Sequence, residues 1–240
     1  MNQNFGGVFL GTTLIQKSGE FGGARYVFVK LQGQKNDLVF PTFGGQLKNP
    51  FPGMAKIYAG DLFEYRTDEN GENPEIYLLK TYEVAKNTTG ASDTEIFIVR
   101  NGYRHIPFVG DVLMKAPAAF GTAGAAYAVT AVEETTDSGK DVWKVTLETT
   151  LGTLEAGDIL VEAAESNASA TMLVQNINAV APCDYDIFNM PSSGKTTDFD
   201  KARYFMTPAL HGTMYINRMS PVPDVVLELN KSRINGWFEL

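Results

Sequence analysis

Three times in its first two thirds the chain sets Gly-Asp directly before a run of strand-forming residues. The copies are Tyr58-Ala59-Gly60-Asp61-Leu62-Phe63-Glu64-Tyr65, Phe108-Val109-Gly110-Asp111-Val112-Leu113-Met114-Lys115-Ala116 and Glu155-Ala156-Gly157-Asp158-Ile159-Leu160-Val161-Glu162-Ala163. Glycine tolerates positive φ, and an Asp side chain can cap nearby backbone amides, so each pair reads as a tight turn feeding a buried strand. A chain punctuated in this way is expected to be mainly β. The residues between the copies do not align, which favours turn chemistry used three times over duplication of a unit.

The other turn signals agree. Asn70-Gly71, Thr89-Gly90, Asn101-Gly102 and Ser138-Gly139 separate runs rich in Val, Ile, Thr and aromatics, the pattern of hairpins. Val142 to Glu148 alternates with a period of two and carries Trp143 as a candidate core anchor. Many short strands favour small barrels or sandwiches, with one or two short helices near the C-terminus. Pro223-Asp224 opens one such helix, with proline in the first turn and an early acid. Thr171 to Val180 is ambiguous, since Leu173, Ile177 and Val180 also fit helical spacing.

Three regions are expected. Residues 1–103 form an N-terminal β region with a start rich in glycine and aromatics, 104–181 a compact barrel or sandwich, and 182–240 a C-terminal region with a short helix and a last strand. At 240 residues the chain can bury one large core or several small ones. Phe-Gly-Gly occurs at Phe5, Phe21 and Phe43. These triplets read as turns between strands, or as an arm docking on another subunit through Phe5, Gly6, Gly7 and Phe9.

Charge and cysteine use narrow the partners. A formal net charge of −8, with scattered Lys and Arg, argues against nucleic acid. Cys183 is the only cysteine, which excludes an intramolecular disulfide and a cysteine-based zinc site. No apolar run approaches the roughly 20 residues of a membrane span. The N-terminal residues lack the pattern of a secretory leader.

No catalytic motif is found: no nucleophile elbow, His-Glu-x-x-His, P-loop or dinucleotide fingerprint. The two histidines, His105 and His211, read as local hydrogen-bonding groups; a Ser-His-Asp triad assembled through the fold is the sharper alternative. Glu133-Glu134, Asp184-x-Asp186 and Asp198-x-Asp200 offer oxygens but lack the spacing of a calcium loop. Neither a metal nor a cofactor is expected.

The pattern Gly110-Asp111-Val112-Leu113, Tyr127 to Glu133, Val145 to Gly152 and Gly157 to Ala163 resembles a module of virion proteins of tailed bacteriophages. It is similar to auxiliary capsid and head fibre proteins of crAss-like and related Bacteroidales phages. Leu79 to Lys86 and His211 to Asp224 share the likeness, which spans about residues 58–240. The resemblance implies a non-enzymatic decoration protein on the outer capsid surface, assembled in the host cytoplasm. Its partners would be the major capsid protein and other virion proteins, with a homo-oligomer left open and neither nucleic acid nor membrane bound. The alternatives are a head fibre or adhesin binding host glycans and, more remotely, a carbohydrate-active enzyme. The absence of heptads or collagen-like repeats favours decoration.

Overall fold

A computed structural model describes residues 7–10, 13–18, 25–30, 41, 44–49, 56–67, 74–88, 90, 92–101, 104–186, 205–210, 212–215, 219–229 and 234–237. The strands in chain order are β1 (Gly7–Leu10), β2 (Thr13–Ser18), β3 (Arg25–Lys30), β4 (Gly45–Leu47), β5 (Lys56–Ile57), β6 (Leu62–Arg66), β7 (Glu75–Leu78), β8 (Thr81–Glu83) and β9 (Glu95–Val99). They continue as β10 (Val112–Lys115), β11 (Gly124–Asp137), β12 (Lys140–Leu147), β13 (Ile159–Glu162), β14 (Asn167–Ala170), β15 (Ala179–Val180), β16 (Tyr185–Asp186), β17 (Phe205–Met206), β18 (Gly212–Tyr215) and β19 (Ile234–Trp237). Among the described residues one helix, α1 (Asp224–Leu229), lies between the last two strands. The protein is mainly β, with mostly antiparallel pairing and a short helix near the C-terminus.

The centre is a barrel of order β8-β13-β10-β11-β12-β9. It closes where Val84 bridges Ile98 and the Ala85 N–H donates to the Phe97 carbonyl at 2.7 Å. Closure removes both edges of the sheet. Tyr82, Val84, Ile96, Ile98, Leu113, Val129, Val145, Leu147, Leu154 and Leu160 form one buried cluster of this barrel. Trp143 packs against that cluster half-buried, with the Arg100 guanidinium 4.9 Å from its ring centroid. The barrel takes strands from both sides of residue 104, because β8 and β9 precede that point.

Beside the barrel lies a middle sheet of order β15-β6-β7-β4-β17, in which only β4 and β7 run parallel. A second apolar cluster joins Met114 and Val161 to Leu62, Leu79, Met172, Val174, Ile177, Val180, Met219 and Val226. Successive residues of β10 and β13 thus face different cores, Leu113 and Leu160 one, Met114 and Val161 the other. Burial on both faces explains why these strands read as unbroken apolar runs. A third sheet, β1-β2-β3-β18-β19, unites strands far apart in sequence. Its pair β18 and β19 is parallel, and α1 lies within the crossover that such a pair requires.

The structure resolves two stretches further. Thr171 to Val180 is not helical: it is extended and ends in β15, and its buried side chains are Met172, Val174, Ile177, Ala179 and Val180. Glu75 to Val84, rich in strand-forming residues throughout, forms two strands. It breaks at Leu79-Lys80, where the chain leaves the middle sheet and enters the barrel.

Candidate functional site

The three Gly-Asp turns share one hydrogen-bond pattern. In each, the Asp N–H donates to the carbonyl three residues back, from Asp61 to Tyr58, Asp111 to Phe108 and Asp158 to Glu155, at 3.0 Å every time. Each Asp side chain returns the bond by accepting the N–H of that same residue, at 2.8, 3.2 and 2.9 Å. Gly60, Gly110 and Gly157 have φ of +90°, +102° and +93°, the left-handed region that favours glycine. Opposite each pair stands one residue, Ala181, Val129 or Val84. Its carbonyl accepts the glycine N–H while its N–H donates to the Asp carbonyl, at 2.8–2.9 Å. Two residues facing one is a β-bulge entered through a tight turn, which twists the strand and re-aims the next side chain.

The second and third turns lead into antiparallel neighbours, β10 and β13, with Leu113 opposite Glu162 and Lys115 opposite Leu160. In the aligned copies, Lys115 corresponds to Glu162. Lys115 reaches Asp158 at 2.7 Å on the surface. The counterpart pair, Glu162 and Asp111, is two acids, both buried. A third strand resolves this. Lys80, at the break before β8, places Nζ 2.7 Å from Asp111 Oδ1 and 3.4 Å from Glu162 Oε1. The Tyr82 hydroxyl donates to Asp111 Oδ2 at 2.8 Å, and Asn49 Nδ2 donates to Glu162 Oε2 at 2.6 Å. Asn49 is itself fixed by the backbone of Leu78, donating to its carbonyl and accepting its N–H.

Burial and charge act in opposition here. Burial pushes the Lys80 ammonium down, but Asp111 and Glu162 outweigh it and hold Lys80 above its ordinary range. Burial raises Glu162 to about 7 against the pull of Lys80, with Asp111 adding to the rise. Burial, then the charges of Asp111 and Glu162, push the Tyr82 hydroxyl well above its usual value, so it remains a donor. Below about pH 7 Glu162 thus holds its proton beside the Lys80 cation, in a cluster sealed from diffusing substrates.

The first turn builds a separate polar group. Ser220 Oγ donates to Asp61 Oδ1 at 2.7 Å, and His105 Nε2 lies 3.3 Å from Asp61 Oδ2, outside hydrogen-bond geometry. The Thr81 N–H donates to His105 Nδ1 at 2.9 Å, which places the ring proton on Nε2. Serine, histidine and aspartate therefore meet, but the carboxylate sits between the other two. Acyl transfer needs the imidazole in the middle. Thr81 Oγ1 and His105 Nε2 border a cavity of about 10 Å³, the volume of a single water.

The remaining candidates do not converge. Gly7 and Phe9 lie in β1, whereas Phe5 and Gly6 fall outside the described residues, as do His211, Asp198 and Asp200. Glu134 pairs with Arg100 at 2.8 Å, and Asp184 accepts the Ala59 N–H at 2.8 Å. Among the described residues no three metal-ligating side chains gather. A cleft of about 370 Å³ opens between Lys86-Asn87-Thr88 and Ser92 to Phe97, with the Lys86 ammonium 3.7 Å from the Phe97 ring centroid. Lys80, Tyr82, Glu162 and Asn49 were not legible as a site. Two signals existed: a lysine inside the apolar run Tyr77 to Tyr82, and the exchange of Lys115 for Glu162 between otherwise similar strands.

Among known proteins, no family model, no curated protein and no solved structure matches this chain.

Proposed function

We propose that the chain is a structural protein of a tailed-phage virion, an auxiliary protein seated on the outer capsid surface and held there by contacts with the major capsid protein. The observation that carries this reading is the edge position of β1 in the third sheet. Among the described residues it pairs with β2 alone, which offers its other side to a strand of a neighbouring chain. Support also comes from the interior. The buried charged cluster of Lys80, Asp111 and Glu162 is closed to solvent.

The test is add-back to purified capsids lacking the protein. A variant without residues 1–10 loses an edge strand but keeps the ladder from β2 to β19, and its retention on the particle is expected to fall sharply with the barrel still folded. Undiminished retention would remove β1 as the docking element, and no binding by the full chain would remove the decoration role. A head fibre that binds glycans draws on the polar cleft beside Lys86, whose volume suits a small sugar. Signal on a glycan array, lost when Asp93 is replaced by alanine, would favour that role instead.

A further inference from the structure

We propose that Lys80 and Asp111 become joined by an intramolecular amide bond, with Glu162 as the proton shuttle. The inference is independent of the role on a capsid. Amide formation between a lysine and an acid needs the amine nitrogen held on the carboxyl group, exclusion of water, donors for the developing oxyanion and a group to move protons. All four are present. Lys80 Nζ is 2.7 Å from Asp111 Oδ1, with side-chain exposures of 2% and 0%. Asp111 Oδ2 accepts the Tyr82 hydroxyl at 2.8 Å and the Phe108 N–H at 3.2 Å. Glu162 Oε1 lies 3.4 Å from Nζ, its side chain 7% exposed.

The chain supplies its own control. Lys115 Nζ is also 2.7 Å from an Asp oxygen, that of Asp158, but Lys115 is 53% exposed and, among the described residues, it pairs with no second carboxyl group. Distance alone is the same in both places. Water competes for both partners at Lys115, whereas at Lys80 burial keeps water away from the pair, and the neutral amine arises by proton transfer to Asp111 inside the closed cluster.

The reaction balances within the cluster. A proton first passes from Nζ to Asp111 Oδ1, leaving a neutral amine beside a carboxyl group. The nitrogen lone pair then attacks Asp111 Cγ, a C–N bond forms, and Oδ2 takes the displaced electron pair under the Tyr82 and Phe108 donors. Glu162, in its protonated form, gives its proton to the Oδ1 hydroxyl and takes the second proton from the nitrogen, so it ends as it began. The Cγ–Oδ1 bond breaks, and Oδ1 leaves as water. One ammonium and one carboxylate thus become one amide and one water, with no oxidant or cofactor. The new bond ties the entry of β8 to the entry of β10 across β13.

Intact mass under denaturing conditions, after prolonged incubation of folded protein, is the primary test. The expected result is a loss of about 18 Da, one water per chain, as condensation of an amine with an acid requires. Trypsin should release Thr67–Lys86 joined to His105–Lys115, uncut after Lys80. Peptides containing Lys115 and Asp158 should be linked to each other in no fraction. Lys80→Met should keep its full mass, and folded Glu162→Gln should form the bond slowly or not at all. Full mass in the wild-type protein overturns the proposal even if both variants fail to fold. Loss of water with only linear peptides, the mark of a cyclised aspartate, overturns it equally. Unchanged rate and extent in Glu162→Gln would strike out the shuttle.

Discussion

Gly157 has a φ of +93°, and a Cβ added there would meet nothing within 4 Å. Substitution at this position therefore measures backbone strain alone, free of packing. Gly157→Val is expected to destabilise the protein by more than about 1 kcal/mol in a thermal or denaturant melt. An unchanged curve would show that glycine is not needed. The two lysines give a sharper contrast. Lys80→Met leaves two buried acids without their cation and should cost about 3 kcal/mol or more. Lys115→Met removes an exposed pair and should cost under about 1 kcal/mol. Glu162 sets a pH dependence of defined sign. Its proton is held to about 7 in the folded protein, above the usual carboxylate range, so the folded state binds more protons between those limits. Stability should fall as pH rises from about 4.5 to 7, by up to about 3 kcal/mol, and Glu162→Gln should flatten that slope. The sign survives amide formation, because the charges of Lys80 and Asp111 disappear together while the burial stays. At this scale the turn glycines and aspartates were legible, since their chemistry is local. Lys80 and Glu162 were not, because partners 82 residues apart meet only once the barrel has closed.

At the scale of elements, the informative departure is the break at Leu79-Lys80. Glu75 to Val84 has the composition of one strand throughout, and nothing local marks the point where it changes sheet. The break is set by tertiary demand: the Leu79 N–H donates to Leu62 in the middle sheet, while Thr81 pairs with Val161 in the barrel. Just beyond it, Val84 seals two contacts. Its N–H donates to the Asp158 carbonyl at 2.8 Å and its carbonyl accepts the Gly157 N–H at 2.8 Å, next to the bridge with Ile98 that closes the barrel. Val84→Pro removes the donor at this seam and should cost about 3 kcal/mol or more. Hydrogen exchange would report it directly, as lost protection at Gly157 and Ala85. Retained protection at both amides would mean that the seam does not depend on Val84.

At the scale of the molecule, the apolar cluster around Met114 and Val161 joins the barrel to the middle sheet and to α1. Met114→Ala should therefore lower the stability of both, by about 2–5 kcal/mol for a buried methionine. Trp143 reports on the barrel and Trp237 on β19, so Trp237→Phe leaves fluorescence that follows the barrel alone. Its unfolding is expected to coincide with the loss of far-ultraviolet circular dichroism, and two separated transitions would show that the shared core does not couple them.

The third sheet carries a consequence in time. Every strand of the barrel lies between Thr81 and Glu162, so its closure can follow soon after that segment leaves the ribosome. Strand β3 must instead wait for β18, where Phe28 meets Met214. Synthesis of the roughly 190 intervening residues takes about 10–40 s at ordinary elongation rates. For that interval β1 to β3 have no sheet to join beyond their own meander. A chaperone that engages nascent chains would find its longest-lived target there, at the start of the chain, while the barrel behind it has already folded.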